Sequence, residues 1–159
     1  MKSFRRYLDL GYGDGSFALA IVSLLDVRQI YGIDINERAV EKARSKGMKA
    51  YVTVLNVDTL SFPDGLFDVV SAFDVIEHLW NTDHFIKEVR RVLRPGDFFI
   101  LSTSNLAPWV NRLLMLFGYL PMHYNCSFKV ELERRPLQKS YGVCSHICLY
   151  TSKALKRHL

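Results

Sequence analysis

The stretch YLDLGYGDGSFALA, residues 7–20, runs from apolar residues through three glycines at alternate positions, Gly11, Gly13 and Gly15, into a sequence with helical spacing. Alternating glycines between a strand and a helix let the backbone approach a ligand closely, because no Cβ intrudes and positive φ is cheap. The stretch therefore predicts a ligand-binding turn at the carboxyl end of a first strand. It also raises a question, since Tyr12 sets a bulky ring between the first two glycines.

Outward from this turn, up to about residue 104, short apolar segments alternate with amphipathic ones, the pattern of a parallel sheet with crossover helices. RRYLDL, QIYGIDI, KAYVTVLNV, LFDVVSAF and FFILSTS read as strands one to five. Between them GSFALAIVSLL, NERAVEKARSKG and a segment from about Asp83 to Leu93 read as helices. Asn36 is the predicted cap of the second helix and Gly47 its stop. Strand four is continuously apolar and is expected to be buried on both faces. Arg94-Pro95-Gly96-Asp97 is the predicted turn into strand five. The fold class expected is α/β, an open parallel sheet with helices on both faces.

Beyond Asn105 this rhythm breaks. Pro108 starts and Gly118 ends a helix with Trp109, Leu113, Leu116 and Phe117 on one side, which reads as a lid rather than core. GVCSHICLY leads to a final helix, TSKALKRHL, with Thr151 as cap. The organisation expected is one domain, with a binding core over residues 1–105 and an acceptor-side cap with the terminal helix over 106–159.

At 159 residues the chain is long enough to bury roughly 70% of its unfolded surface. With 49% hydrophobic and 23% charged residues, disorder is excluded as the main description. No apolar run reaches the roughly 18 residues of a membrane span, and no signal-peptide core follows MKSFRR, so a cytoplasmic location is expected. The odd count of cysteines, Cys126, Cys144 and Cys148, fits a reducing compartment. Their spacing with His146 lacks the C-x-x-C form of structural zinc sites, and no metal is expected. The net charge of +5 is carried by scattered pairs without interleaved aromatics, which makes nucleic acid an unlikely partner.

The glycines alone do not choose a ligand, because Gly13 to Ala18 also satisfies the dinucleotide pattern G-x-G-x-x-G/A. Asp9 inside the end of strand one and Asp14 within the loop make the local field acidic. That suits a cationic sulfonium and amino group better than two phosphates. Asp34, at the end of strand two, can accept both hydroxyls of a ribose, or serve as an acid at a helix N-terminus. Asp58 follows strand three, where it can reach the amino edge of an adenine while Val57 packs on its face, or simply form a turn.

YLDLGYGDGSFA, IYGIDINERAVEKAR, VDTLSFPDGLFDVVSAFDVIEHL and EVRRVLRPGDFFILSTSN follow one another as in class I S-adenosylmethionine-dependent methyltransferases, and the chain resembles the small-molecule group with the I-E-H-L signature. The resemblance covers residues 6–105. It implies a Rossmann-like sheet ordered 3-2-1-4-5 with S-adenosylmethionine across the carboxyl ends of strands one, two and four, and S-adenosylhomocysteine as product. Carried over residue by residue, Gly11, Gly13 and Gly15 surround the methionine portion and Asp9 supports the loop and amino group. Asp34 binds the ribose and Asp58 the adenine amino group, with Val57 against the adenine; Ile35 counts among the cofactor-binding residues, and Phe73 with Asp74 lines the cofactor.

The sulfonium already activates the methyl group, so positioning is the main contribution required of the protein. For a hydroxyl acceptor His78 is the candidate general base. Strand four ends in S-A-F-D-V, without the N-P-P-Y-like or Pro-Cys segments that serve nucleobase acceptors, so a small-molecule acceptor is expected. Two other readings stand beside this one: a non-catalytic cofactor-binding module, and an NAD-dependent oxidoreductase, which Asp9 and Asp14 disfavour. The family's usual helix ahead of strand one and its last antiparallel strand pair have no counterpart in the sequence. Strand five is therefore expected to be covered by CSFKVELE, by GVCSHICLY or by a second subunit in a homodimer. Tyr12 stands where the family has a small residue. Its ring is expected to point away from the cofactor, into space a preceding helix would fill, or to narrow the pocket.

Overall fold

The computed structural model describes residues 4–13, 15–122 and 146–159, which fall into two compact units. The first carries β1 (Phe4–Leu10), α1 (Ser16–Leu24), β2 (Val27–Asp34), α2 (Glu37–Ser45), β3 (Lys49–Val52), β4 (Phe67–Phe73), α3 (Thr82–Val92) and β5 (Leu93–Ser102). Its five strands are parallel and ordered β3-β2-β1-β4-β5, the order that the resemblance implied.

Register decides which side chains share a face. Tyr7 pairs with Val69 and Ile30, and Asp9 with Ser71 and Gly32, so this set faces one way. Tyr7 and Val69 pack there with Ala18 of α1 and Val40 and Ala43 of α2 in one core cluster. The opposite face carries Val70 beside Phe99, and Phe99 meets Phe85 of α3 with ring centroids 6.4 Å apart. Helices thus lie on both faces. β4 runs between β1 and β5 and is buried from Phe67 to Ala72, which accounts for its continuous apolar character.

Local chemistry sets the element ends. The Asn36 side chain accepts from the amides of Arg38 and Ala39, capping α2 as expected, and Gly47 ends that helix at φ 87°. β3 stops at Val52 instead of continuing to Val57. The Asp58 carboxylate accepts the Val54 N–H at 2.7 Å, and the amides of Val57 and Asp58 both donate to the Val54 carbonyl, so the chain curls out of the ladder. Arg94 to Asp97 are not a turn preceding β5. Leu93 already pairs with Phe67 and Phe98 with Val69, so these residues bulge within the ladder, with Gly96 at φ 82°. On the α1/α2 side of β5, Phe98 and Ile100 are 51% and 38% exposed.

The second unit takes in Ile76–Trp80 and the chain from Thr103 onward. It contains a 3-10 turn (Ile76–His78), α4 (Trp109–Leu116) and α5 (Ser152–His158). Thr151 caps α5 by accepting the Ala154 N–H at 3.1 Å. α4 buries a polar residue rather than its apolar stripe. Asn111 donates to the Leu106 carbonyl and accepts the Met122 N–H, each at 2.9 Å, while Trp109, Leu113, Leu116 and Phe117 are exposed. Past the end of β5, Asn105 forms a parallel bridge with Tyr150, so the end of GVCSHICLY pairs there. CSFKVELE lies outside the described residues. Among the described residues no helix is long and apolar enough to cross a membrane.

Candidate functional site

Parallel strands deliver their carboxyl ends to one edge of a sheet, and the loops there frame its natural crevice. In the first unit that edge holds a cavity of about 600 Å³ lined by Asp9, Gly11 and Gly13 from the first turn and by Phe73, Asp74 and Ser102 from the ends of β4 and β5. Tyr12 and Phe17 complete the lining. No lysine or arginine is among these residues.

The glycines divide by task. Gly11 sits at φ 72°, and a Cβ there would lie 2.4 Å from Val75 Cγ2, so its lack of a side chain is structural. Gly13 sits at φ 58°, yet a Cβ there meets nothing within 4 Å; the space it leaves open belongs to the cavity. Gly15, at φ 75°, begins α1, and a Cβ there would lie 2.9 Å from Met48 Sδ and 3.7 Å from Ala43. Gly15 therefore faces the core between α1 and α2 and does not line the cavity.

Tyr12 borders the cavity, and its ring is buried. Its ring turns down onto β2, where a Cβ on Gly32 would come within 2.5 Å of Cδ1, and it belongs to the core cluster with Met48 and Ala43. Gly32 makes the room; the narrow backbone of β2 accepts a ring that a side chain there would exclude. The Tyr12 hydroxyl is buried without a hydrogen bond, and that burial, with the Asp34 charge second, pushes it up to about 12.

Two carboxylates organise the acidic side. Asp34 Oδ2 accepts the Gly13 N–H at 2.9 Å and Oδ1 the Asn36 N–H at 2.8 Å, so one side chain latches the glycine loop and the start of α2. Each oxygen keeps a second lone pair for a ligand hydroxyl. Asp9 is 2% exposed. Ser71 Oγ donates to its Oδ1 at 2.5 Å and in turn accepts from the Tyr7 hydroxyl at 2.7 Å, a relay across β1 and β4. Burial chiefly, and the charge of Asp34 after the opposing Ser71 bond, push the Asp9 carboxyl up to about 7. Burial and the nearby Asp9 likewise raise the Tyr7 phenol.

At the end of β4, Asp74 is the only non-glycine residue with positive φ among the described residues, at 53°. Ser102 holds it there: the Asp74 N–H donates to Ser102 Oγ at 3.1 Å, and that hydroxyl donates to Asp74 Oδ1 at 2.9 Å. Backbone held in this region is characteristic of ligand clamps. The rings of Phe17 and Phe73 meet edge to face with centroids 4.7 Å apart.

Of the residues selected from sequence, Asp9, Gly11, Gly13, Phe73 and Asp74 line one cavity, and Asp34 braces it through Gly13. Asp58 is turned back on its own loop at Val54. Val57 and Ile35 are exposed and do not line the cavity. Asp14 lies outside the described residues. Phe17 and Ser102 also line the cavity and were not selected. Ser102 had a legible signal, a polar residue at the carboxyl end of a parallel strand; Phe17 had none beyond its place in the first turn of α1. His78 belongs to the second unit, where it lies beside Glu77 and His146.

Comparison with known proteins gives a consistent result. The family described as "Methyltransferase domain" matches residues 8–101. A probable S-adenosylmethionine-dependent methyltransferase of Mycolicibacterium smegmatis is 39% identical over 101 residues, covering 64% of this chain and 38% of its own. The 27-O-demethylrifamycin SV methyltransferase of Amycolatopsis mediterranei is 36% identical over 114 residues, covering 68% of this chain and 42% of its own. The chain therefore spans less than half the length of these curated relatives. Among solved structures, a possible histamine N-methyltransferase of Thermotoga maritima superposes with a TM-score of 0.66 over 99% of this chain and 62% of its own, at 17% identity, a likeness of fold.

Proposed function

The chain belongs to the class I S-adenosylmethionine-dependent methyltransferases, and from that premise we propose that it binds S-adenosylmethionine in the cavity at the ends of β1, β4 and β5 and takes part in methyl transfer to a small molecule. The observation that carries this reading is the charge of the cavity. A buried Asp9 beside a glycine turn latched by Asp34, with no cationic side chain in the lining, suits an ammonium and a sulfonium and is hostile to a pyrophosphate. The bound cofactor supplies a methyl group already activated on sulfur.

The chain's own residues bind and orient. Asp34 would hold the ribose hydroxyls with the lone pairs left over from Gly13 and Asn36. Asp9 would face the amino group, Gly13 would admit the ligand backbone, and Phe17 and Phe73 would exclude water on the apolar side. Ile35, just after β2, and Val57 and Asp58, in the loop beyond β3, form the candidate adenine side. The acceptor offers a nucleophilic oxygen, nitrogen, sulfur or activated carbon; the rifamycin relative supports the small-molecule class. The exposed Phe98 and Ile100 support the reading that further protein, such as a second copy, covers β5.

Calorimetry with S-adenosylmethionine, S-adenosylhomocysteine and NAD tests the reading. Binding of the first two and not the third is expected; binding of NAD alone would overturn it. Asp34→Ala is expected to weaken S-adenosylmethionine by about 1 to 3 kcal/mol, from lost charge-assisted bonds and a loosened loop, and unchanged affinity removes Asp34 from the site. Gly13→Ala separates ligand from fold. Positive φ costs a side chain about 1 to 2 kcal/mol of stability, while the new methyl enters open cavity. Cofactor affinity is expected to fall more than about tenfold, or about 1.4 kcal/mol, with the variant still folded; retained affinity would place the ligand away from the turn.

A further inference from the structure

Among the described residues, Glu77, His78 and His146 each offer one ligand atom, and these atoms lie within 4.8 Å of one another. Backbone hydrogen bonds build the cluster. The amides of Ile147 and Cys148 donate to the Glu77 carbonyl at 2.7 and 3.0 Å, which seats His146 against the 3-10 turn. The rings of His78 and His146 meet nearly edge-on, with centroids 4.9 Å apart.

The Glu77 side chain is fully buried. Thr103 Oγ1 donates to Oε2 at 3.0 Å and the Ser104 N–H donates to Oε1 at 3.3 Å. Among the described residues no lysine or arginine pairs with it. A carboxylate withdrawn from water is stable when it is paired or bound to a metal. The Ser104 hydroxyl also donates to Oε1 at 3.5 Å. Neutral donors thus orient both oxygens, the outer layer that metal-binding carboxylates use, and Oε2, with one donor, keeps a lone pair for a metal.

We propose that Glu77, His78 and His146 bind a divalent transition-metal ion of the zinc type through one carboxylate oxygen and two imidazole nitrogens. The donor set selects the ion, because imidazole suits zinc and its neighbours, whereas magnesium and calcium take oxygen ligands. Three protein ligands leave a fourth tetrahedral position open for water or a ligand heteroatom. Bonds of about 2.0 to 2.1 Å place ligand atoms roughly 3.3 Å apart, so the cluster must contract by about 1.5 Å. Exposed His78 can swing inward; Glu77 and His146 are buried and held. An imidazole bound to metal is not a base, so this role replaces the general-base role expected for His78.

The sequence expectation of no metal rests on the spacing of Cys126, Cys144, His146 and Cys148, which lacks the C-x-x-C form. Glu77 and His78 reach His146 through the fold, across about 70 intervening residues. The first two cysteines lie outside the described residues, and Cys148 is not among the residues whose ligand atoms converge.

Equilibrium dialysis of the chelator-stripped full chain against Zn²⁺ tests the proposal. One ion per chain is expected, with affinity about 100-fold or more weaker in Glu77→Gln, His78→Ala and His146→Ala. His78→Ala changes an exposed side chain and keeps the fold, so it remains informative if the buried variants unfold. The Co²⁺ form is expected to show visible tetrahedral bands and no sulfur-to-cobalt band. Absence of zinc, full zinc affinity in His78→Ala, or a thiolate band overturns the site. These readouts do not depend on methyl transfer, and cofactor calorimetry on the metal-free chain tests the other reading separately.

Discussion

Asp9→Asn is expected to stabilise the ligand-free protein above neutral pH while weakening its hold on S-adenosylmethionine. The folded chain raises the Asp9 carboxyl from its ordinary range to about 7, mostly through burial. Between about pH 4 and about pH 7 the folded state therefore keeps a proton that the unfolded state has released. Folding stability must fall as pH rises through that window and level off above it. The contribution is on the order of 4 kcal/mol, an upper figure because protein and water relax around a buried charge. Asparagine carries no titrating proton, and its oxygen still accepts from Ser71, so the variant should lose this decline.

Urea unfolding of both chains at about pH 5 and about pH 8 measures the effect. A wild-type stability that does not drop between the two removes the argument. Cofactor binding should move the other way. An ammonium facing an ionised Asp9 gains a charge-assisted bond, so affinity should rise with pH toward about 8 and fall about tenfold to a hundredfold in Asp9→Asn. A residue that costs stability when ionised and improves binding when ionised is placed for ligand, since a purely structural carboxylate has no reason to be buried there.

The second large effect lies beneath the turn. Gly32→Ala is expected to cost about 3 kcal/mol, the upper end for overpacking, because the new methyl meets Tyr12 Cδ1 at 2.5 Å and Cε1 at 2.6 Å. Neither atom is the loose end of a flexible chain; the ring is packed among Met48, Ala43 and Ala18. The expected fall in Tm is about 6 to 12 °C. Replacing the ring in Gly32→Ala/Tyr12→Leu should recover at least about 1 kcal/mol against the sum of the single changes. Strict additivity would mean that the two do not share the space. Tyr12→Phe alone is expected to be neutral or mildly stabilising, since it removes a buried hydroxyl that has no hydrogen bond.

Much of the fold was legible because its signals are local. The period of the apolar residues marked every strand of the sheet, Asn36 and Thr151 announced their caps, and the continuous apolar run of β4 announced a strand buried on both faces. The errors lie where a distant or opposing group wins. β3 ends early because Asp58 captures the Val54 amide, and Arg94 to Asp97 stay in the ladder because Leu93 already pairs with Phe67. α4 shows its apolar stripe outward because Asn111 is the side chain with two backbone partners. None of these choices is written in periodicity.

The site divides in the same way. By itself the amino-acid sequence determined the glycine turn, its acidic neighbours and their place at the carboxyl ends of parallel strands, because those follow from residue type and strand order. Only the tertiary structure decided that Gly13 opens on the cavity while Gly11 and Gly15 clear Val75 and Met48. It alone turned Tyr12 onto Gly32, buried Asp9 on Ser71, and carried His146 to Glu77. Direction, burial and contact between residues far apart in the chain arise when side chains compete for the same space, and a linear pattern does not contain that competition.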